Sequence, residues 1–171
     1  MLPYKGKPML QHNLEKCLEL FDRVYVSSDS DEILKFAMSF GALPIKRGEE
    51  LCGDVPDIPV FKHALEQMEK DGPVEGIVAV HVDTPDVDPI TIQDIRYLLE
   101  LNFSEVMTCH PMTRDKHYHR QANKIYGSVR GLSVEALKNY GDPYYPYPEV
   151  LVVDPTPEIE TPEDYAKYNV I

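Results

Sequence analysis

A chain of 171 residues, 43% hydrophobic and 27% charged, carries one soluble globular domain's worth of sequence, enough to bury roughly two-thirds of its unfolded surface. Its formal net charge of −12 repels a polyphosphate backbone and argues against a nucleic-acid partner, although local cations or a metal still admit a small anionic substrate. No apolar run approaches the roughly 20 residues that span a bilayer, and Met1 to Pro8 has two lysines with no apolar core behind them, so neither a membrane segment nor a signal peptide is read. Cys17, Cys52 and Cys109 are odd in number, far apart and without a Cys-x-x-Cys pair, the pattern of reduced thiols in a cytoplasmic protein.

The apolar period alternates between helix and strand along the chain. Leu10, Leu14, Cys17, Leu18 and Phe21 make one face of an amphipathic helix, and Val24 to Ser27 reads as a short strand. Asp29 is placed to cap a second helix, with Glu32 reaching back; Ile33, Phe36, Ala37 and Phe40 form its stripe, and Gly41 ends it. Ala42 to Ile45 reads as a strand, and Pro59 opens a third helix. Gly76 to Val82 is the most continuous apolar run, which suits a strand covered on both faces, as in parallel sheets. Asp88-Pro89 starts a helix through Leu101, and Val106 to Cys109 is a further strand.

Residues 110–148 read as an excursion from the core: a polar stretch with His110, His117 and His119, then a strand at Ile125 to Val129, a short helix and a tyrosine- and proline-rich loop. No cysteine or further carboxylate stands at zinc-ligand spacing from the histidines. Val150 to Val153 is the last strand, and Thr161-Pro162-Glu163-Asp164 caps and opens the last helix. The fold class expected is α/β in a single domain over 1–171, a mostly parallel Rossmann-like sheet with helices on both faces. In such sheets ligands sit outside the carboxyl ends of the strands, which singles out Ser28 and Asp29, Lys46 and Arg47, Asp83 to Asp86, and Glu158 with Glu160.

Gly6-Lys7-Pro8-Met9-Leu10, Phe21 to Asp29, Arg47-Gly48-Glu49-Glu50-Leu51 with Asp54 and His63-Ala64-Leu65, and Glu158 to Asp164 follow one another in the order of a known family. Together they resemble the cytidylyltransferases of acidic sugars, the acylneuraminate (CMP-sialic acid) enzymes and the related 3-deoxy-manno-octulosonate (Kdo) enzymes. The segment His81-Val82-Asp83-Thr84-Pro85 is similar to the Kdo pattern, whereas the Arg47 to Asp54 series is similar to the sialic-acid one. The resemblance implies a nucleotide-diphospho-sugar transferase fold, CTP and an acidic sugar as substrates, Mg2+ as cofactor and a homodimer.

In the reaction so implied, a sugar hydroxyl attacks the α-phosphate of CTP and pyrophosphate leaves, so positioning and charge neutralisation carry the catalysis. The resemblance makes Asp83 a magnesium ligand; otherwise it is a loop residue preceding Pro85. Glu160 and Glu158 match two aspartates of the closing segment and are either metal ligands or an acidic turn before a capped helix. Arg47 holds a phosphate or the sugar carboxylate through its planar fork, or pairs with Glu49 or Glu50. Ser28, Asp29 and His81 line the nucleotide side, with helix capping the competing role of Asp29. Arg120-Gln121 and Ile125 to Val129 faintly resemble a sugar-recognition and dimer stretch.

Members of the family open with a strand and a glycine- and basic-rich phosphate loop before Gly-Lys-Pro. The sequence here begins almost at Gly6-Lys7-Pro8, so Lys5 and Lys7 stand as the flank of that loop. The alternatives are another nucleotidyltransferase of the same fold, of isoprenoid or molybdopterin type, or a catalytically inactive descendant that serves in binding or assembly.

Overall fold

Pro8, extended at φ −54° and ψ 137°, ends a two-stranded antiparallel hairpin, β1 (Pro3–Tyr4) with β2 (Lys7–Pro8), and releases the first helix, α1 (Met9–Leu20). The computed structural model describes residues 1–111 and 125–170. The chain continues through β3 (Tyr25–Ser28), α2 (Asp31–Ser39), β4 (Leu43–Lys46), α3 (Asp57–Met68), β5 (Gly76–Val80), α4 (Pro89–Glu100), β6 (Glu105–Cys109), β7 (Ile125–Ser133), α5 (Val134–Lys138), β8 (Val150–Val153) and α6 (Pro162–Tyr168). His117, His119 and Arg120-Gln121 lie outside the described residues.

Local chemistry accounts for the helix ends. The N-cap of α2 is Ser30, not Asp29: the helix begins at Asp31, so Ser30 is the residue whose hydroxyl can accept from Ile33 N, at 3.4 Å. Gly41 ends that helix at φ +99°, as expected. Helix α3 starts two residues before Pro59, whose missing N–H falls in the first turn and forfeits no intrahelical bond. Asp88 caps α4 by accepting from Ile90 N at 2.8 Å, and Thr161 and Asp164 cap α6 reciprocally.

The sheet is mixed rather than mostly parallel. Strands β3 and β4 pair in parallel as one unit, and the other four order as β5-β7-β6-β8. Only β6 and β8 are parallel there, because β7 runs back between β5 and β6 and is antiparallel to both. Residues 125–138 of the expected excursion therefore belong to the core. The strand β7 extends to Ser133, beyond the Val129 read from the sequence, because Gly131 breaks the apolar pattern. A Cβ at Gly131 would lie 2.7 Å from Ile95 Cγ2, so glycine there lets α4 approach the sheet.

Helices do cover both faces. Ile77 and Leu132 pack with Ile58, Phe61 and Leu65 of α3 and Leu137 of α5 on one side. On the other, Val78, Val80, Val106 and Val129 meet Ile92 and Ile95 of α4 and the end of α1. The pair β3–β4 has its own core of Leu14, Ala37 and Ala42, with Leu18, Val24 and Val26 against it. The run at β5 is covered on both faces as expected, but among the described residues it pairs antiparallel and on one side only, and of its five residues only Ile77 is buried.

Candidate active site

The loop after β5 is held by side chains from α1. Asn13, itself buried, donates its amide to His81 O at 2.8 Å and Thr84 O at 3.0 Å, and Lys16 Nζ donates to Pro85 O at 2.7 Å. Thr84 Oγ1 donates to His81 O at 3.2 Å, and Val87 N to Thr84 O at 3.2 Å, closing the loop on itself. Asp83 sits half-buried at its apex. Ile159 N donates to Asp83 O at 2.7 Å, so the fold brings the Glu158–Glu160 segment against Asp83 across 76 residues of sequence (159 − 83). Glu160 is exposed there and Glu158 half-buried.

Beneath that segment lies a buried polar network absent from the sequence reading. Asp154, 1% exposed, accepts from Thr156 Oγ1 at 2.7 Å and Thr156 N at 3.1 Å, and Ser128 Oγ lies 3.4 Å from its other oxygen. Thr108 Oγ1 continues it at 2.8 Å from Ser128 Oγ. These bonds fix the course of the chain as it leaves β8 and so aim the residues that follow.

The cations divide into bound and unbound. Lys5 Nζ donates to Asp86 Oδ2 at 2.7 Å, and Tyr4 Oη donates to the same oxygen at 2.6 Å. Burial raises the Asp86 carboxyl, but the bonds from Lys5 and Tyr4 outweigh it and leave Asp86 below the usual carboxylate value. Lys7 pairs with Glu15 on α1. Lys5 thus stands beside the Asp83 loop with its charge already countered, and Lys7 is turned to α1. Arg47 differs: its backbone N donates to Ser28 O at 3.0 Å, while its buried Nε has no hydrogen-bond partner and is not paired with Glu49 or Glu50. The buried, unpartnered Nε sets Arg47 apart from Lys5 and Lys7.

Ser28 is buried at the end of β3, and Asp29 is exposed, its carbonyl and the Asp31 carboxylate both taking Lys46 Nζ. The sequence-predicted residues therefore fall into two groups. Ser28, Asp29 and Arg47 end β3 and β4, whereas His81, Asp83, Glu158, Glu160 and Lys5 gather past β5. His81 Nε2 lies 3.8 Å from Asp57 Oδ2, and that same oxygen is 3.9 Å from Arg130 NH1. Asp57 was missed because the third helix was read from Pro59; its true start places Asp57 in the first turn.

Solved structures similar to this chain share its fold. A CMP-2-keto-3-deoxy-manno-octonic acid synthetase complexed with CTP matches at a TM-score of 0.70 and 16% identity, over 97% of this chain and 88% of that one. A 4-diphosphocytidyl-2C-methyl-D-erythritol synthase from Anaerococcus prevotii matches at 0.68 and 12% identity, over 98% and 90%. The chain thus shares the fold of these two proteins.

The cytidylyltransferase family model matches residues 1–147, and the chain belongs to that family. Among curated proteins, a pseudaminic acid cytidylyltransferase of Campylobacter jejuni is 32% identical over 73 residues, covering 40% of this chain and 32% of that protein. A 3-deoxy-manno-octulosonate cytidylyltransferase of Brucella ovis is 30% identical over 105 residues, covering 60% and 40%. The chain therefore spans between a third and two-fifths of the length of these relatives.

Proposed function

We propose that the chain serves in cytidylyl transfer from CTP to an acidic sugar, giving a CMP-sugar and pyrophosphate. The observation that carries this reading is the junction of Asp83 with the Glu158–Glu160 segment through Ile159 N, within a chain of the cytidylyltransferase family. The named relatives act on pseudaminic acid and 3-deoxy-manno-octulosonate, so an acidic sugar of that class is the acceptor, and sialic acid is a third candidate to be assayed beside them.

In this reading Arg47 takes a phosphate or carboxylate oxygen with its unpartnered Nε, and Ser28 and His81 border the nucleotide. Asp83 and Glu160 offer hard oxygen donors on abutting segments. Among the described residues no group of three or more His, Cys, Asp or Glu side chains stands ready to hold a metal ion. Magnesium is commonly held by one or two carboxylates with water and substrate phosphates, so the donor set fits it without a third protein ligand. The ion would bind phosphate oxygens and offset the charge developing on the leaving pyrophosphate. The homodimer belongs to the same proposal, and sedimentation tests it against the 19.5 kDa monomer.

The test is pyrophosphate release from CTP and Mg2+ with each of the three sugars in turn. Release with one sugar and not with CTP alone supports the proposal and names the acceptor. Binding of CTP with no release for any of the three would overturn it in favour of an inactive descendant.

A further inference from the structure

One buried tyrosine ties together the two segments that carry the candidate oxygen donors. Tyr4, on β1, is 0% exposed. Its hydroxyl donates to Asp86 Oδ2 at 2.6 Å, three residues on from Asp83 in the loop after β5. Its ring belongs to a small core with Met9 of α1 and with Ile159, the residue between Glu158 and Glu160. Tyr165 and Tyr168 of α6 pack against that core, and Tyr168 O lies 3.2 Å from the Tyr4 hydroxyl.

The ring is held from outside the loop that it ties. His12 of α1 donates through Nε2 to Tyr4 O at 2.8 Å and meets the Tyr4 ring edge-on at 5.4 Å. On the other side α6 clasps the hairpin: Lys5 N donates to Asn169 Oδ1 at 2.6 Å, and the Tyr165 hydroxyl donates to Pro3 O. The junction of the two donor segments is less constrained. Ile159 N donates to Asp83 O there, but neither residue is in a strand, so no ladder fixes the register. A rigid ring against Ile159 and a hydroxyl on Asp86 supply that constraint from one side chain.

From this we propose that Tyr4 is a positioning residue of the candidate metal site. Its ring seats Ile159, its hydroxyl tethers Asp86, and together they set the separation of the Asp83 and Glu160 carboxylates. The inference rests on the reading of those two carboxylates as magnesium donors. Magnesium demands near-octahedral geometry at about 2.0–2.1 Å, so a small displacement of one donor segment weakens binding. Groups that orient ligands from behind are commonly worth about 10–100-fold in metal affinity.

Two variants of the full chain test this. Tyr4→Phe keeps the ring on Ile159 and removes the tether to Asp86. Tyr165→Phe removes another tyrosine bond of the same hairpin and leaves Asp86 untouched, so it controls for loosening of the hairpin alone. The probe is Mn2+ in the presence of CTP, with free Mn2+ read by electron paramagnetic resonance. Exchange of the Ile159 amide, followed by NMR without metal, reports the junction itself. Tyr4→Phe should weaken Mn2+ binding by about tenfold and speed Ile159 exchange by about tenfold, while Tyr165→Phe stays near the unsubstituted chain in both. Mn2+ bound equally well by Tyr4→Phe and the unsubstituted chain, or unchanged exchange at Ile159, would overturn the role of Tyr4 and leave the metal reading standing. Equal losses in the two variants would also overturn it, because hairpin loosening alone would then account for them. No Mn2+ binding by the unsubstituted chain would overturn the metal reading itself, and this inference with it.

Discussion

Replacing Arg130 by methionine leaves a carboxylate in the core without its cation. Arg130 is 5% exposed and Glu105 2%, and the guanidinium reaches Glu105 Oε1 through Nε at 2.9 Å and NH2 at 2.6 Å. Tyr140 Oη and Tyr147 N donate to Glu105 Oε2 at 3.0 and 3.1 Å, and the guanidinium lies 5.3 Å from the Tyr140 ring centroid and 5.9 Å from that of Phe61. After Arg130→Met two donors remain, but no positive charge does, and the site is too buried for water to replace it. Removing one partner of such a pair costs about 3–5 kcal/mol. For a chain of this size that lowers Tm by about 10 °C. The double replacement Glu105→Leu with Arg130→Met removes both desolvation penalties and should recover most of the loss. Urea unfolding followed by circular dichroism measures all three proteins. A loss below about 1 kcal/mol for the single variant, or a double variant no more stable than the single, would refute the argument that the unpaired charge is what destabilises.

The remaining predictions draw on other parts of the fold. Burial above all, with the Glu105 carboxylate, pushes the Tyr140 hydroxyl up to about 12 against the opposing Arg130, from an ordinary 10.0. The folded state holds that proton more tightly than the unfolded, so its contribution is whole below pH 10 and declines as pH rises toward 12; Tyr140→Phe should flatten that part of a stability–pH curve. Burial also pushes the Cys17 thiol up to about 11, so iodoacetamide should modify Cys17 slowly in the native protein and quickly in urea, as peptide mass mapping would show. Tyr4→Phe removes the 2.6 Å bond to Asp86 that anchors the N-terminal hairpin, and should cost about 1.5–3 kcal/mol in urea unfolding. Asp83→Asn should lower magnesium-dependent pyrophosphate release by about a hundredfold or more while leaving the unfolding midpoint nearly unchanged.

What the amino-acid sequence determined by itself is what local period and caps can specify. The apolar stripe of α1, the Gly41 stop and the Asp88 and Thr161 caps depend on neighbours within about one helical turn, and each stands where it was read. The ordered segments from Gly6 to Asp164 were likewise enough to indicate the family, because they are runs of adjacent residues. The placing of Asp83 past an apolar strand followed from the same local pattern, whereas His81, read within the run Gly76 to Val82, lies just beyond a strand that ends at Val80.

Tertiary structure decided the rest, because strand partners, buried ion pairs and side-chain anchors join residues far apart in sequence. An apolar run states that a strand will be covered, but not which strand it pairs with, and among the described residues β5 pairs with antiparallel β7. Arg130 and Glu105 lie 25 residues apart, and only the pairing of β6 with β7 sets them side by side in the core. Lys5 and Lys7, read as the flank of a phosphate loop, are laid by the hairpin against Asp86 and Glu15, whereas Arg47 keeps a buried nitrogen unused. Charge is written in the sequence, but its availability to a ligand depends on which opposite charge the fold brings within reach.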